Sequence, residues 1–182
     1  DDAKVPNNFI SKALENIYTS NFNCFGGVYL PWYKYGKPKW FLDKYATNDG
    51  KLSTFTTLEK DFIAGGIFAI DKSVLQKFGG VATNLGMMDN RVAYGEETLL
   101  QIRMRKTGIK IGYDPNWTML HLVNRYKLTP MWFLKGGFAS GRDAWLIYEE
   151  KISIKKIFVY CFRLIKHFFI DILTNQITYK QK

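Results

Sequence analysis

Two adjacent glutamates and one distant histidine are the residues of this sequence best suited to chemistry. Glu96 and Glu97 stand at the start of a helix-like segment, and His121 follows 24 residues after Glu97. Neighbouring carboxylates repel each other, so one can stay partly protonated while the other ionises, which is one way to prepare a general base. The spacing therefore permits a base and a metal ligand beside one substrate.

The same three residues also have ordinary structural interpretations. Acids in the first turn of a helix are favoured by the helix dipole alone, by about 0.3–1 kcal/mol. A single histidine is more often a structural residue than a ligand. The residue types and their spacing leave both interpretations of Glu96, Glu97 and His121 open.

Three predicted elements carry these side chains. Apolar residues at helical spacing, basic residues near the end and Gly108 as a cap predict a helix that opens at the acidic pair. Residues 110–113 predict a short strand that ends at Asp114-Pro115, and residues 117–122 a second short strand that contains His121. All three candidate residues therefore lie at element ends, where side chains can reach a cleft.

The rest of the chain alternates between helical and extended patterns. We predict helices over 9–18, 72–78 and 130–139, a strand over 25–32, an aromatic and lysine-rich loop over 33–44, and an extended run over 62–71 interrupted by Gly65-Gly66. This alternation indicates an α/β fold. The glycine- and methionine-containing segment 82–93 is typical of a loop that closes over a substrate.

The composition indicates a globular protein. The chain has 182 residues, of which 47% are hydrophobic and 16% aromatic, enough for a domain with a core. Its two cysteines are far apart and lack metal-type spacing, so neither a disulfide framework nor a zinc site is indicated. A reducing compartment is the expectation.

The net charge of +10 is concentrated near the end of the chain. Residues 151–182 carry seven basic residues and one aspartate, interleaved with apolar side chains that nucleic acid does not require. Polar residues at 156, 163, 167 and 171 form one narrow face of a predicted amphipathic helix, which is typical of a helix in an anionic membrane interface. A helix packed on the domain or on a partner subunit is the alternative.

A series of short motifs has an order and spacing found in a known family. The motifs are Ala64-Gly65-Gly66-Ile67-Phe68-Ala69-Ile70-Asp71, Phe78-Gly79-Gly80, Leu85-Gly86, Tyr94-Gly95-Glu96-Glu97-Thr98, Gly108, Tyr113-Asp114-Pro115 and His121. Together they resemble the acceptor-side half of a family 2 glycosyltransferase of the GT-A fold. The first ten residues resemble the segment that follows the family's Asp-x-Asp strand. On that resemblance the chain starts inside the motif, and the nucleotide-binding half is expected before it.

The resemblance implies an inverting glycosyltransferase and roles for particular residues. Glu97 would be the general base, although the commoner family pair ends in Asp. Glu96 would bind and orient the acceptor hydroxyls, and Gly65 and Gly66 would let the acceptor approach the backbone closely.

It also implies a donor side. Asp1 and Asp2 would be donor-binding residues of the Asp-x-Asp motif. Asp2 and His121 would hold a divalent metal, Mg²⁺ or Mn²⁺, against the diphosphate of a nucleotide-sugar donor, since carboxylates and water suit these ions.

Together these expectations specify the domains, the cellular location and the partners of the protein. They comprise a partial GT-A mixed sheet with flanking helices over residues 1–145, a basic amphipathic helical tail over 146–182, and a cytoplasmic, peripheral place at the inner face of the cell membrane. The acceptor would be a glycan or lipid-linked glycan of cell-envelope polysaccharide biosynthesis, and nucleic acid is not an expected partner. The alternative from another class is a truncated, non-catalytic module that binds glycan or membrane.

Overall fold

The chain divides into two compact units in the computed structural model, 1–147 and 148–182. The structure describes residues 2–87 and 91–148, together with Ile154, Lys155, Phe158, Val159 and Phe162. In the second unit these five residues are helical and their side chains are exposed. The rest of the predicted tail, including Arg163 and Lys166, lies outside the described residues, as does Asp1.

The first unit is built on a mixed five-stranded sheet. The strands are β1 (Ala3–Lys4), β2 (Cys24–Trp32), β3 (Thr56–Thr57), β4 (Phe68–Ile70) and β5 (Ile111–Leu122). The main order is β1-β5-β2-β4, and β3 also pairs with β5. Only the β2–β5 pair is parallel, and the other described pairs are antiparallel.

Among the described residues, four helices accompany the sheet. They are α1 (Phe9–Thr19), α2 (Lys72–Lys77), α3 (Glu96–Lys106) and α4 (Pro130–Tyr148), with short 3₁₀ turns at Asp43–Tyr45 and Arg125–Leu128. The predicted helices over 9–18 and 72–78 are confirmed, as is the helix that opens at the acidic pair. Gly108 follows α3 with φ of 82°, the left-handed conformation expected of a glycine just beyond a helix.

Helices pack on both faces of the sheet. Successive residues of β2 point to opposite faces and therefore join different clusters. Cys24 belongs to a buried cluster that includes Leu100 and Met104 of α3. Phe25 belongs to a second cluster, against which Phe9 of α1 packs. The prediction of a mixed α/β fold with flanking helices is confirmed at this level.

The prediction of two short strands around Asp114-Pro115 is wrong. β5 is one continuous strand from Ile111 to Leu122, and its pairing with β2 shifts register between Gly26 and Val28. Asp114 is buried within the strand, where its carboxylate accepts hydrogen bonds from the Asn16 side chain (2.7 Å) and the Asn116 amide (2.9 Å). The irregular pairing and these hydrogen bonds let the strand pass through Asp-Pro.

The predicted extended run over 62–71 is only partly a strand. β4 covers Phe68–Ile70, and the residues before it, including Gly65 and Gly66, form a loop with turns. The physical reason is that side chains of α3 occupy the hydrogen-bonding groups of this loop, as described below.

The helix predicted over 130–139 continues to Tyr148. Gly136 and Gly137 lie inside it, although glycine lowers helix propensity, because the helix is held by tertiary contacts such as those of buried Ala139, Asp143 and Ile147. In the part of the chain that the structure describes, no helix combines the length and apolar character needed to cross a bilayer.

Candidate active site

An open cleft of about 530 Å³ lies where α3, α4, β5 and the loop before β4 meet. Its lining includes four of the predicted site residues, Gly65, Gly66, Glu97 and His121. These residues are up to 56 positions apart in the sequence. The fold therefore brings the predicted base, the glycine pair and the histidine to one concave surface, which is the usual shape of a ligand site.

Glu97 enters the cleft from the first turn of α3. The turn before it requires Gly95, which has φ of 105°. Glu97 Oε1 accepts a hydrogen bond from the Gly65 amide at 3.0 Å. A Cβ at residue 65 would lie 2.9 Å from that oxygen, so the glycine permits the approach. This contact fixes one carboxylate oxygen.

The same face of α3 holds the loop that carries the glycine pair. One turn beyond Glu97, Gln101 is buried and brackets Ile63: its Oε1 accepts from the Ile63 amide (2.8 Å) and its Nε2 donates to the Ile63 carbonyl (2.9 Å). After another turn, Arg105 donates to the carbonyls of Leu58 and Asp61. The spacing of four places all three side chains in one row.

Glu96 lies away from this row. Among the described residues it does not line the cleft, and its carboxylate lies against Gly86, where a Cβ would be 2.5 Å from its carboxyl carbon. Its Oε2 is buried without a hydrogen-bond partner. Burial, and then the charge of Glu97, raise the pKa of this carboxyl group. Glu96 therefore lies against Gly86 and not in the cleft, and its predicted contact with an acceptor stays a prediction.

Asp2 and His121 are brought together by the pairing of β1 with β5. The Leu122 amide donates a backbone hydrogen bond to the Asp2 carbonyl at 2.7 Å. Asp2 Oδ2 then lies 3.3 Å from His121 Nε2. The two predicted metal ligands are therefore neighbours, although 119 positions separate them.

The surroundings of His121 favour its neutral form. Burial lowers the pKa of its imidazole below the ordinary value of 6.5, and the charge of Lys127 acts in the same direction, while Asp2 opposes both. The ring also packs edge-on against Tyr29, with centroids 5.8 Å apart. Neutral imidazole is the form that binds metal ions.

The donor set fits the expected divalent metal in its chemistry. One carboxylate and one neutral imidazole, completed by water and phosphate oxygens, suit Mn²⁺ and also Mg²⁺, which usually has one or two carboxylate ligands beside substrate phosphates. Among the residues that the structure describes, no group of three His, Cys, Asp or Glu side chains converges on a metal site. Asp2 and His121 would therefore hold such an ion only together with a substrate.

Aromatic side chains form part of the cleft wall. Those that line it include Phe41, Tyr45 and Phe133, and the ring of Phe133 lies 5.9 Å from that of Phe41 and 5.4 Å from that of Tyr45. Trp132 also lines the cleft, whereas Trp117 is buried in the core. In the sequence, only the aromatic content of the loop over 33–44 indicated this wall, and composition alone does not predict which of its rings contact α4.

Comparison with known proteins does not assign the chain to a family. No family model matches the chain, and no curated protein matches it with significant similarity.

Proposed function

We propose that this chain is the acceptor-side part of an inverting glycosyltransferase of the GT-A fold. The observation that carries the proposal is the meeting of Glu97, His121 and the Gly65-Gly66 loop at one cleft, with Asp2 in contact with His121. The resemblance to family 2 glycosyltransferases assigns these residues to acceptor, base and donor roles. The cleft supports that assignment, since one surface can serve all of these roles.

Glu97 would be the general base. The Gly65 amide holds its Oε1, and its other oxygen, Oε2, would accept the proton of an acceptor hydroxyl. As the proton leaves, the acceptor oxygen attacks the anomeric carbon from the side opposite the leaving diphosphate, and the configuration inverts. The hydrogen bond from Gly65 also limits rotation of the carboxylate, which reduces the entropy lost on reaching the reactive geometry.

The donor diphosphate would lie toward His121 and Asp2. These two residues would hold Mg²⁺ or Mn²⁺, which when bound offsets the charge that develops on the leaving group. Lys127 lines the cleft and adds a positive charge near this position, although burial lowers the pKa of its ammonium group. Phe41, Tyr45 and Phe133 supply apolar faces against which a sugar ring can pack.

The acceptor would be a glycan or a lipid-linked glycan at the inner face of the cell membrane. The basic, apolar composition of residues 151–182 supports this place, because such segments bind anionic lipid. The second candidate is a non-catalytic module that binds glycan without turnover. The observation in its favour is that the described residues supply only two metal ligands.

The test is the transfer activity of the complete gene product. Glu97→Gln keeps the size of the side chain and its contact with Gly65 but removes the base, so turnover should fall by about 10²- to 10⁴-fold while donor affinity stays nearly unchanged. Glu59→Gln, an exposed acid outside the cleft, is the matched control. Turnover of Glu97→Gln within a few-fold of wild type would remove Glu97 from the mechanism, and glycan binding without any turnover would favour the non-catalytic module.

A further inference from the structure

The outward face of α4 is apolar along most of its length. Met131, Leu134, Phe138 and Trp145 are 58%, 69%, 73% and 56% exposed. They are three, four and seven positions apart, which places them on one side of the helix. In soluble proteins, exposed apolar side chains are ordinarily scattered, so a row of four large ones marks a surface that contacts something other than water.

The lysine-rich loop over 33–45 contacts α4 beside this face, through Phe133, whose side chain points about 100° around the helix from Leu134. The ring of exposed Trp40 lies 5.8 Å from that of Phe133, which precedes Leu134 in α4. The loop also exposes Tyr35 and Leu42, at 63% and 45%. The face of α4 and this loop together are called the basic apolar surface below.

The charge of the loop is strongly one-sided. It contains four lysines and one aspartate. That aspartate, Asp43, already accepts hydrogen bonds from Lys37 and from the Tyr33 hydroxyl. Lys34 and Lys44 lie beside aromatic rings, 5.4 Å from the centroid of Tyr35 and 5.7 Å from that of Tyr45. The aliphatic stems of such lysines can lie along apolar groups while their ammonium groups reach anionic ones.

Exposed apolar side chains beside unbalanced lysines favour one kind of partner. An anionic glycan or a nucleic acid would use the lysines and the rings but would gain little from Met131, Leu134 and Leu42. A bilayer surface with anionic headgroups uses both, because acyl chains take up the apolar side chains and headgroup charges attract the lysines. The net charge of +10 acts in the same direction at longer range.

A second row of exposed apolar residues provides a contrast. Ile10, Ile17 and Tyr18 of α1 are 65%, 51% and 82% exposed. The basic residue on that helix, Lys12, is paired with Glu15 at 3.1 Å. α1 thus has apolar exposure without unbalanced positive charge, which makes it a matched control.

We infer that the basic apolar surface binds anionic membranes and places the Tyr45 edge of the cleft against the lipid. Tyr45 belongs both to the cleft wall and to this surface, and its ring lies 5.4 Å from that of Phe133 in the cleft wall, so an acceptor anchored in the bilayer would meet the cleft at its edge. This goes beyond the proposed function, which assigns lipid contact to residues 151–182. It does not depend on catalysis, so its test uses neither donor nor acceptor.

The experiment measures binding of the full chain to phosphatidylcholine vesicles with and without 30% phosphatidylglycerol, by co-sedimentation. Leu134→Gln with Phe138→Gln should weaken binding to the anionic vesicles by about tenfold or more, from lost apolar burial. Lys34→Gln, Lys39→Gln and Lys44→Gln should each weaken it by about fivefold, and less at high salt. Ile10→Gln with Tyr18→Gln on α1 should leave binding unchanged.

Far-UV circular dichroism and thermal unfolding of each variant verify that it is folded. Unchanged vesicle binding by the folded Leu134/Phe138 variant and by the lysine variants would overturn the inference and leave lipid contact to residues 151–182. A drop in its unfolding temperature or a change in oligomeric state, without loss of lipid binding, would show that protein covers the face of α4. Tighter binding to soluble dextran sulfate than to anionic vesicles, lost in the lysine variants alone, would also overturn the inference and assign the loop to an anionic glycan.

Discussion

Gln101 is the residue whose replacement tests most directly how the cleft is held together. It is 2% exposed and makes two hydrogen bonds to Ile63 and one to the Glu97 carbonyl. Gln101→Met keeps nearly the same length and volume but has no donor and only a weak acceptor. The substitution therefore removes the hydrogen bonds that hold the loop carrying Gly65, without creating a large cavity.

The expected cost follows from the groups left behind. The Ile63 amide and carbonyl would both lose their partner in a buried position. Each unsatisfied buried group costs about 1–3 kcal/mol, so the pair costs about 2–6 kcal/mol. Since native proteins are stable by about 5–15 kcal/mol, this is a large part of the total. A chain of this size should lose about 2–4 °C of unfolding temperature per kcal/mol.

The assay is urea unfolding followed by tryptophan fluorescence, together with thermal unfolding followed by circular dichroism. Gln76→Met is the matched control, because Gln76 is an exposed helical glutamine on α2 and its replacement should change stability by less than about 0.5 kcal/mol. If Gln101→Met is as stable as the control, the hydrogen bonds to Ile63 do not hold the loop, and the explanation given for the position of Gly65 beside Glu97 is wrong.

Three further predictions concern stability. Burial raises the pKa of Glu96 above its ordinary 4.5, so ionising this carboxyl group lowers the folding stability once the pH exceeds that value. Glu96→Gln should therefore raise the unfolding temperature at pH 7, by an amount that shrinks toward pH 4. An equal rise at pH 7 and pH 4 would show that the charge of Glu96 is not the cause. Gly137→Ala should stabilise α4 by about 0.5–1 kcal/mol because nothing lies within 4 Å of its Cβ position. Gly95→Ala should destabilise by at least about 1 kcal/mol, since its φ is 105° and its Cβ would lie 2.1 Å from Ile147 Cδ1. Denaturant midpoints of the two glycine variants, shifting in opposite directions, are the measurement.

Local pattern was sufficient for most of the helices and for β2. Apolar spacing, caps and glycines act over a few residues, so α1, α2 and α3 begin and end close to where the sequence indicates. The acidic pair and Gly108 mark both ends of α3. These features need no knowledge of the rest of the fold, because the interactions that produce them are local.

Elements that depend on distant partners were predicted less well. β5 runs through Asp114-Pro115 because Asn16, 98 positions earlier, satisfies the buried carboxylate. The residues before β4 leave the extended form because Gln101 and Glu97 bind the backbone groups of Ile63 and Gly65. A sequence pattern records turn-forming residues such as Asp-Pro, but it does not record which side chain arrives from elsewhere to satisfy them.

The sequence by itself determined the candidate residues Glu97, His121, Asp2 and the Gly65-Gly66 pair, through their chemistry and the family that their order resembles. Only the tertiary structure decided that the glutamate, the histidine and the glycine pair share one cleft, that Asp2 contacts His121, and that Glu96 turns toward Gly86 instead. Residue type fixes what a side chain can donate, accept or bind. Which groups it meets is fixed by the packing of the sheet and α3, whose contacts join segments far apart in the chain.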